Sequence, residues 1–471
     1  MQTHFTLKQL ANPKIAEADS IIKSCQHFGF CTATCPTYVL LGDENDAPRG
    51  RIDLMRIMLE NGGAPDRKTV GHIDRCLSCL ACMTTCAVRV DFMHLVDRAR
   101  IHIEEHHSRP LLERLLRSMV AHLLPRPALF RTALWGAKLA RVFVEIPGNG
   151  SPVGASMHKL GAKRLRNLMP RRLGNLLSMV PPHLPPKNAD IRPGVHAAAG
   201  PRRYRVALLA GCAQRVLAPS INAATVRLLT RHGCEVVIAP QGGCCGALTL
   251  HMGREEDAIE AARRNVEAWI PEVEAGRLDA ILVNASGCGT MVKDYGHLLQ
   301  HDPRYATQAA LIAELALDVS EWMERIGLFK PQQPCRYAVA YHDACSLRNA
   351  QRVTEPPRRL LAAAGYVVRD VPEAQMCCGS AGTYNLLQPD IAEQLGQRKG
   401  ERVRSTGAAF MAAGNLGCLV QIGRYVSLPV VHTVELLDWA TGGPKPAALD
   451  DVQLQEVPDS VQEVGAGAAI W

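Results

Sequence analysis

The densest chemistry in the chain is the run Cys76-x2-Cys79-x2-Cys82-x3-Cys86. Three thiols spaced in this way can wrap one small metal–sulfide core, while the fourth, one residue further on, turns toward a second core. Zinc sites usually use two separated cysteine pairs, so the spacing favours iron and sulfide. An earlier stretch, Cys25-Gln-His-Phe28-Gly-Phe-Cys31-Thr-Ala-Thr-Cys35-Pro36, has the same frame with Phe28 in the second position. Exchange of the fourth ligands gives one complete set, Cys35, Cys76, Cys79 and Cys82, and one set of three, Cys25, Cys31 and Cys86. The complete set is expected to carry [4Fe–4S]. Phenylalanine cannot bind iron, so the set of three suits a [3Fe–4S] core, or a [4Fe–4S] core whose open corner is completed by water or His27. Phe28, apolar and bulky, is expected to keep water off that corner. A zinc-stabilised scaffold without a redox role is the reading from a different class.

Two further thiol groups repeat along the chain. Cys212 is followed after 31 intervening residues by Cys244-Cys245-Gly246, and Cys345 after the same gap by Cys377-Cys378-Gly379. The units are offset by 133 residues, and Cys288 and Cys418 close them. This is an internal duplication. Adjacent cysteines on a strand face opposite ways, but a tight glycine loop lets both sulfurs converge, and Gly242-Gly243, Gly246 and Gly379 supply such loops. Cys234 and Cys335 fall outside every motif and read as ordinary core or surface residues. His342, three residues before Cys345, reads as a structural histidine at a strand end, with cluster tuning as the alternative.

The elements that must position these thiols change in character along the chain. Residues 1–105 read as short helices between cysteine clusters, with a helix over 51–60 that stops at Asn61-Gly62-Gly63. Residues 106–203 form a basic helical connector ending in a stiff linker, Pro181-Pro182-His-Leu-Pro185-Pro186. Residues 204–330 and 335–441 have α/β grammar, with apolar strands expected at 204–210, 235–240, 280–284 and 337–341. Residues 442–471 are a tail. The fold class is therefore multidomain, α plus α/β.

Composition narrows function. Aromatics are 5% of the 471 residues, poor for stacking on bases, so nucleic acid is not an expected partner. Of the net charge of +8, residues 101–200 carry +10, with 15 basic and 5 acidic side chains, and the rest carries −2. A basic amphipathic stretch at 109–172, with Arg114 and Arg117 among Leu112, Leu115, Leu116 and Val120, suits an anionic membrane surface, a docking partner or a plain solvated face. The start shows no secretory h-region and no eighteen-residue apolar run occurs, which points to a reducing, cytoplasmic location. No nucleotide-type glycine fingerprint opens a helix, so no flavin is expected on this chain.

Several runs together resemble the iron–sulfur subunit of bacterial glycolate oxidase (glycolate dehydrogenase). They are Gly29-Phe-Cys-Thr-Ala-Thr-Cys-Pro-Thr-Tyr38, Asp46-Ala-Pro-Arg-Gly-Arg-Ile52, Arg75–Cys86, Met93–Arg100 and Cys377-Cys-Gly-Ser-Ala-Gly-Thr-Tyr384. The resemblance covers about residues 20–440. It implies an α-helical two-cluster ferredoxin-type domain followed by two tandem α/β CCG (cysteine-rich) repeats. It also implies an electron-transfer subunit that takes electrons from a flavin-containing glycolate oxidase subunit toward the membrane quinone pool, held peripherally at the inner face of the cell membrane. The chain alone would not catalyse, because oxidation of a 2-hydroxy acid needs the flavin. Lactate or glycerol 3-phosphate are the alternative substrates, since the paired CCG units are shared with those dehydrogenases. Likeness to heterodisulfide reductase implies a further iron–sulfur cluster or a redox thiol site at Cys212, Cys244, Cys245, Cys288 and at Cys345, Cys377, Cys378, Cys418. Family members with the full motif would carry two [4Fe–4S] clusters. The stretch with Phe28 also resembles the three-iron site of succinate dehydrogenase's iron–sulfur subunit.

Overall fold

The computed structural model describes residues 1–143, 180–181, 183–186, 191–333 and 335–458. The basic run that continues the connector to residue 172 lies outside the described residues.

The first hundred residues form a helical domain whose chain is punctuated by proline and glycine. Pro13, Pro36 and Pro48 each sit in the first turn of a helix (Pro13–Ser24, Pro36–Leu41, Pro48–Asn61), where a missing N–H costs nothing. The helix Pro48–Asn61 stops at Gly62, whose φ of 64° suits glycine, in agreement with the expected stop. Its buried face, Ile52, Met55, Met58 and Leu59, packs with Ile22, Ile73, Leu95 and Val96. Each such side chain contributes about 1.5–3 kcal/mol by leaving water. The long helix Phe92–His106 also leans on the first α/β repeat. Asp97 lies 3.1 Å from His251, and His94 lies 2.9 Å from Asp294.

The connector forms helices Leu111–Leu123 and Pro127–Phe143. The basic-face reading holds for Arg114, which is exposed, but not for Arg117. Arg117 and Arg109 turn inward and meet Asp74 at 3.2 and 2.7 Å, with Glu113 beside both. Leu111, Leu112 and Leu115 point outward, 73%, 59% and 63% exposed. Half-buried Asp74 requires partners, and the two guanidiniums supply them. Among the described residues no helix is long and apolar enough to cross a membrane.

Two sheets follow, parallel but for one edge strand of the first. The first comprises β1 (Gly194–His196), β2 (Tyr204–Leu208), β3 (Cys234–Ile238), β4 (Ala280–Val283) and β5 (Ala316–Asp318), in the order β1-β3-β2-β4-β5. The second comprises β6 (Ala338–Tyr341), β7 (Val367–Asp370), β8 (Phe410–Ala413) and β9 (Val430–His432), in the order β7-β6-β8-β9. Without β1 the two orders are the same, as a duplication requires. Strand β1 pairs antiparallel to β3 and lies within the segment read from sequence as linker. Three residues carry too weak a periodicity to announce a strand, and only the free edge of β3 recruits them. The tail is likewise partly structured: Leu449 is fully buried, and the Val457 N–H donates to the Arg336 carbonyl. One core joins the repeats, with Val206, Leu208 and Trp322 from one and Val339, Phe410 and Trp439 from the other. Arg227 and Arg231 clamp Asp438 across that joint at 2.6 and 2.9 Å.

Candidate metal centres

Cys35 precedes the helix Pro36–Leu41, Cys76 and Cys79 lie on the turn after helix Arg67–Asp74, and Cys82 lies on helix Ala81–Thr85. The turn is tight, with Ser78 and Leu80 at φ of 50° and 58°. It aims backbone donors at sulfur: the Ser78 N–H lies 3.5 Å from the Cys76 Sγ. Cys79, Cys76 and Cys35 crowd around Cys82, and burial pushes the Cys79 and Cys82 thiols well above their ordinary range. Thiols packed together away from water ionise only opposite a cation, and an all-sulfur donor set suits a metal–sulfide core.

That core would face fixed positive charge. Arg51 is buried, with Nη1 3.8 Å from the Cys35 Sγ, and it donates to Thr37 Oγ1 at 3.0 Å and to the His72 carbonyl at 2.7 Å. Asp46 holds it at 3.2 Å and also meets Arg75 at 2.8 Å. Arg100 fixes the cysteine turn, donating to the Cys76 carbonyl at 2.7 Å and Ser78 Oγ at 2.6 Å.

Cys25, Cys31 and Cys86 gather separately. Burial raises the Cys31 thiol, and its neighbours Cys25 and Cys86 raise it further. The three line a surface recess with His27, Phe28 and Phe30. Here one expectation is corrected. Phe28 is 58% exposed and Phe30 60%, so Phe28 does not seal the corner from water. His27 and Gly29 both adopt positive φ, 55° and 82°, and this turn swings the ring outward.

In the α/β repeats every motif cysteine lies beyond the carboxyl end of a strand, where parallel sheets place their sites. Cys212 and Cys244 bring their sulfurs to 3.6 Å, and Cys245 bridges Cys244 to Cys288. Cys345 and Cys377 lie 3.8 Å apart, and Cys378 bridges Cys377 to Cys418. These separations are far beyond a disulfide of about 2.05 Å, and all seventeen cysteines are free. Thiol protons directed from Cys212 and Cys245 hold Cys244 below the ordinary thiol range. Gly246 and Gly379 make the paired turns feasible. Their φ values are 93° and 87°, and a Cβ would meet the Ala258 and Ala392 carbonyls at 3.0 and 2.7 Å. Cys234 and Cys335 lie in the shared core, away from both quartets.

The second quartet abuts the helical domain. Cys79 and Cys377 share one buried cluster, with Cys345 packed against it. Asn349 donates to the Cys79 carbonyl at 2.8 Å, and the Tyr384 hydroxyl to the Arg75 carbonyl at 2.9 Å. Leu77, Ala81, Met376 and Ile391 seal the joint. Sequence reasoning had not singled out Arg51, Arg100, Asn349 or Tyr384. Arg51, Arg100 and Tyr384 stand inside the recognisable runs, but Asn349 has no local signal.

Comparison with known proteins agrees with this architecture. Residues 24–90 match the 4Fe-4S dicluster domain family, and residues 206–293 and 339–423 each match the cysteine-rich CCG domain family. The glycolate oxidase iron-sulfur subunit of Escherichia coli (strain K12) is 38% identical over 440 residues, 93% of this chain and 99% of that one. The probable glycolate oxidase iron-sulfur subunit of Bacillus subtilis (strain 168) is 31% identical over 455 residues, 94% of this chain and 99% of that one. Lactate utilization protein A of Shouchella clausii (strain KSM-K16) is 26% identical but spans 50% of this chain and 98% of its own length. A crystal structure of a hypothetical protein from Helicobacter pylori shares the fold, with a TM-score of 0.51 at 10% identity over 94% of this chain and 76% of that one. Thiol sets, sheets and matched domains define an iron–sulfur electron-transfer protein with a dicluster domain and two cysteine-rich domains. Within that class, the chain belongs to the family of glycolate oxidase iron–sulfur subunits.

Proposed function

We propose that this chain is the electron-transfer subunit of a complex that oxidises glycolate to glyoxylate, working with a flavin-containing partner and delivering electrons toward the membrane quinone pool. The observation that carries the reading is that Cys79, Cys345 and Cys377 share one buried cluster, which sets the four-thiol group beside the second cysteine quartet. Cys35, Cys76, Cys79 and Cys82 would hold a [4Fe–4S] cluster, and Cys25, Cys31 and Cys86 a [3Fe–4S] cluster. The two quartets, Cys212, Cys244, Cys245, Cys288 and Cys345, Cys377, Cys378, Cys418, would hold further metal–sulfur groups. When bound, such groups supply one-electron steps at potentials set by their ligands and surroundings. The residues of this chain do the rest: the cysteines supply thiolate donors, Arg51 opposes their charge, and the apolar joint keeps water away.

Glycolate is favoured over lactate because the relatives named for glycolate oxidase span nearly the whole chain, whereas the relative named for lactate utilization spans half. The complex would sit at the cytoplasmic face of the membrane, with the outward leucines of helix Leu111–Leu123 against the bilayer. The test is affinity capture of the tagged full chain from its native host, followed by assays with glycolate, lactate and glycerol 3-phosphate. A co-purifying flavoprotein with glycolate-dependent dye reduction, absent from the isolated flavin-free chain, supports the reading. Preference for either other substrate, or glycolate oxidation by the isolated chain, overturns it. Stoichiometric zinc without acid-labile sulfide would return the scaffold reading.

A further inference from the structure

The two cysteine quartets arose by duplication, but their surroundings have diverged. His342 is 1% exposed, and among the described residues neither ring nitrogen has a hydrogen-bond partner. A buried imidazole without partners is costly, and such a group calls for a specific explanation. A donor nitrogen of His342 and the sulfurs of Cys378 and Cys418 all lie within 4.8 Å of one another. The matching position of the first repeat, also three residues before its leading cysteine, is Leu209, which has no donor.

A second difference points the same way. Gly246 packs on Ala258 and Gly379 on Ala392, which aligns Asn265 of the first repeat with Lys399 of the second. Asn265 braces its cysteine loop with neutral hydrogen bonds to Gly243 and Cys244. Lys399, equally buried, places an amine near Cys377 and Cys378 and donates to the Glu373 carbonyl at 2.7 Å.

We propose that His342 supplies an imidazole nitrogen to the metal–sulfur group of the second repeat, making this a mixed nitrogen–thiolate site while the first repeat remains thiolate-only. The inference rests on the reading that the second quartet holds a metal–sulfur group. Neutral nitrogen donors raise the potential of iron–sulfur centres relative to anionic thiolate, and a nearby amine adds to the effect. The second repeat would therefore be reduced more readily than the first, and it is the one that abuts Cys79.

The experiment uses the full chain, purified anaerobically after growth on 15N-histidine or natural-abundance histidine, with pulsed electron paramagnetic resonance of its paramagnetic states. A histidine nitrogen coupling should be present, be lost in His342→Leu, and persist in His27→Leu, which controls for the three-thiol site. Redox titration of His342→Leu should move one centre to lower potential and leave the others unchanged. Since leucine is the residue of the matched position, the variant should fold, and its thermal melt checks this. Absence of histidine coupling in the unaltered protein, or its survival in His342→Leu, overturns the proposal independently of whether the variant is stable. Cys378→Ser separates the underlying reading. If that variant keeps all the iron and every signal of the unaltered protein, the second quartet holds no metal, and the cluster assignment fails together with the role of His342.

Discussion

The side-chain amide of Asn349 donates to the main-chain carbonyl of Cys79 at 2.8 Å, across 270 residues of sequence. It fixes the central cysteine of the four-thiol set to the π-turn that follows Cys345, so the position of one centre relative to the other is a property of the backbone. Replacement by alanine leaves that buried carbonyl without its donor, which costs about 1–3 kcal/mol. Asn349→Ala should lower the denaturation midpoint and slow electron passage between the domains, with the cluster spectra unchanged. Chemical denaturation and stopped-flow reduction measure the two effects.

Arg51 should be the most consequential cation in the helical domain. It is 1% exposed, faces Cys35 and meets Asp46, itself 1% exposed. Removing one member of a buried pair typically costs about 3–5 kcal/mol, because the other charge is left unpaired. Arg51→Met should therefore lose iron from the four-thiol site during purification and lower its potential. A variant with full iron content and an unmoved midpoint would contradict the charge-balancing role.

The three-thiol recess gives a test by gain of function. Phe28 lines it beside Cys25, Cys31 and Cys86. Phe28→Cys should abolish a three-iron resonance in the oxidised protein and add a second four-iron signal. Two indistinguishable four-iron centres in the unaltered protein would instead require a non-thiolate ligand such as water or His27.

His94 links the helical domain to the first repeat through a titratable contact. Its Nδ1 lies 2.6 Å from Asp91 and its Nε2 2.9 Å from Asp294, and the ring stacks on His297 at 3.6 Å. Burial alone would lower its pKa, but the two carboxylates outweigh it and raise the value to about 10. The folded value exceeds the unfolded one of about 6.5. The stabilisation is thus complete below pH 6.5 and declines as pH rises toward 10. The stability difference between the native protein and His94→Gln should be largest near pH 6 and shrink by pH 10. Unfolding curves across that window provide the measurement, and a constant difference would contradict it.

The outward leucines of helix Leu111–Leu123 should matter for membrane binding more than Arg117, which is engaged with Asp74. Leu112→Glu with Leu115→Glu should reduce flotation with vesicles containing anionic lipid. Equal flotation of both proteins would assign attachment elsewhere, for example to the basic run ending at residue 172.

The sequence by itself determined the local chemistry. The spacing of Cys76, Cys79, Cys82 and Cys86 and the recurrence of paired cysteines after equal gaps are one-dimensional patterns. So are the apolar runs that became β2, β3, β4 and β6. Short-range geometry suffices to read them, because a two-residue spacer or a four-residue strand is constrained by its own backbone. Tertiary structure decided everything that depends on distant partners. No local feature of Asn349 announces a bond to Cys79, and only packing could turn Arg117 inward while Leu115 faces out. Phe28 was predicted to shield a cluster corner, but the positive-φ turn at His27 and Gly29 exposes it. His342 gave a histidine near a strand end; only the fold placed it beside Cys378 and Cys418, 36 and 76 residues further along the chain. Such contacts depend on how the sheets and helices dock, and docking is settled by the burial of whole faces rather than by the residues that end up in contact.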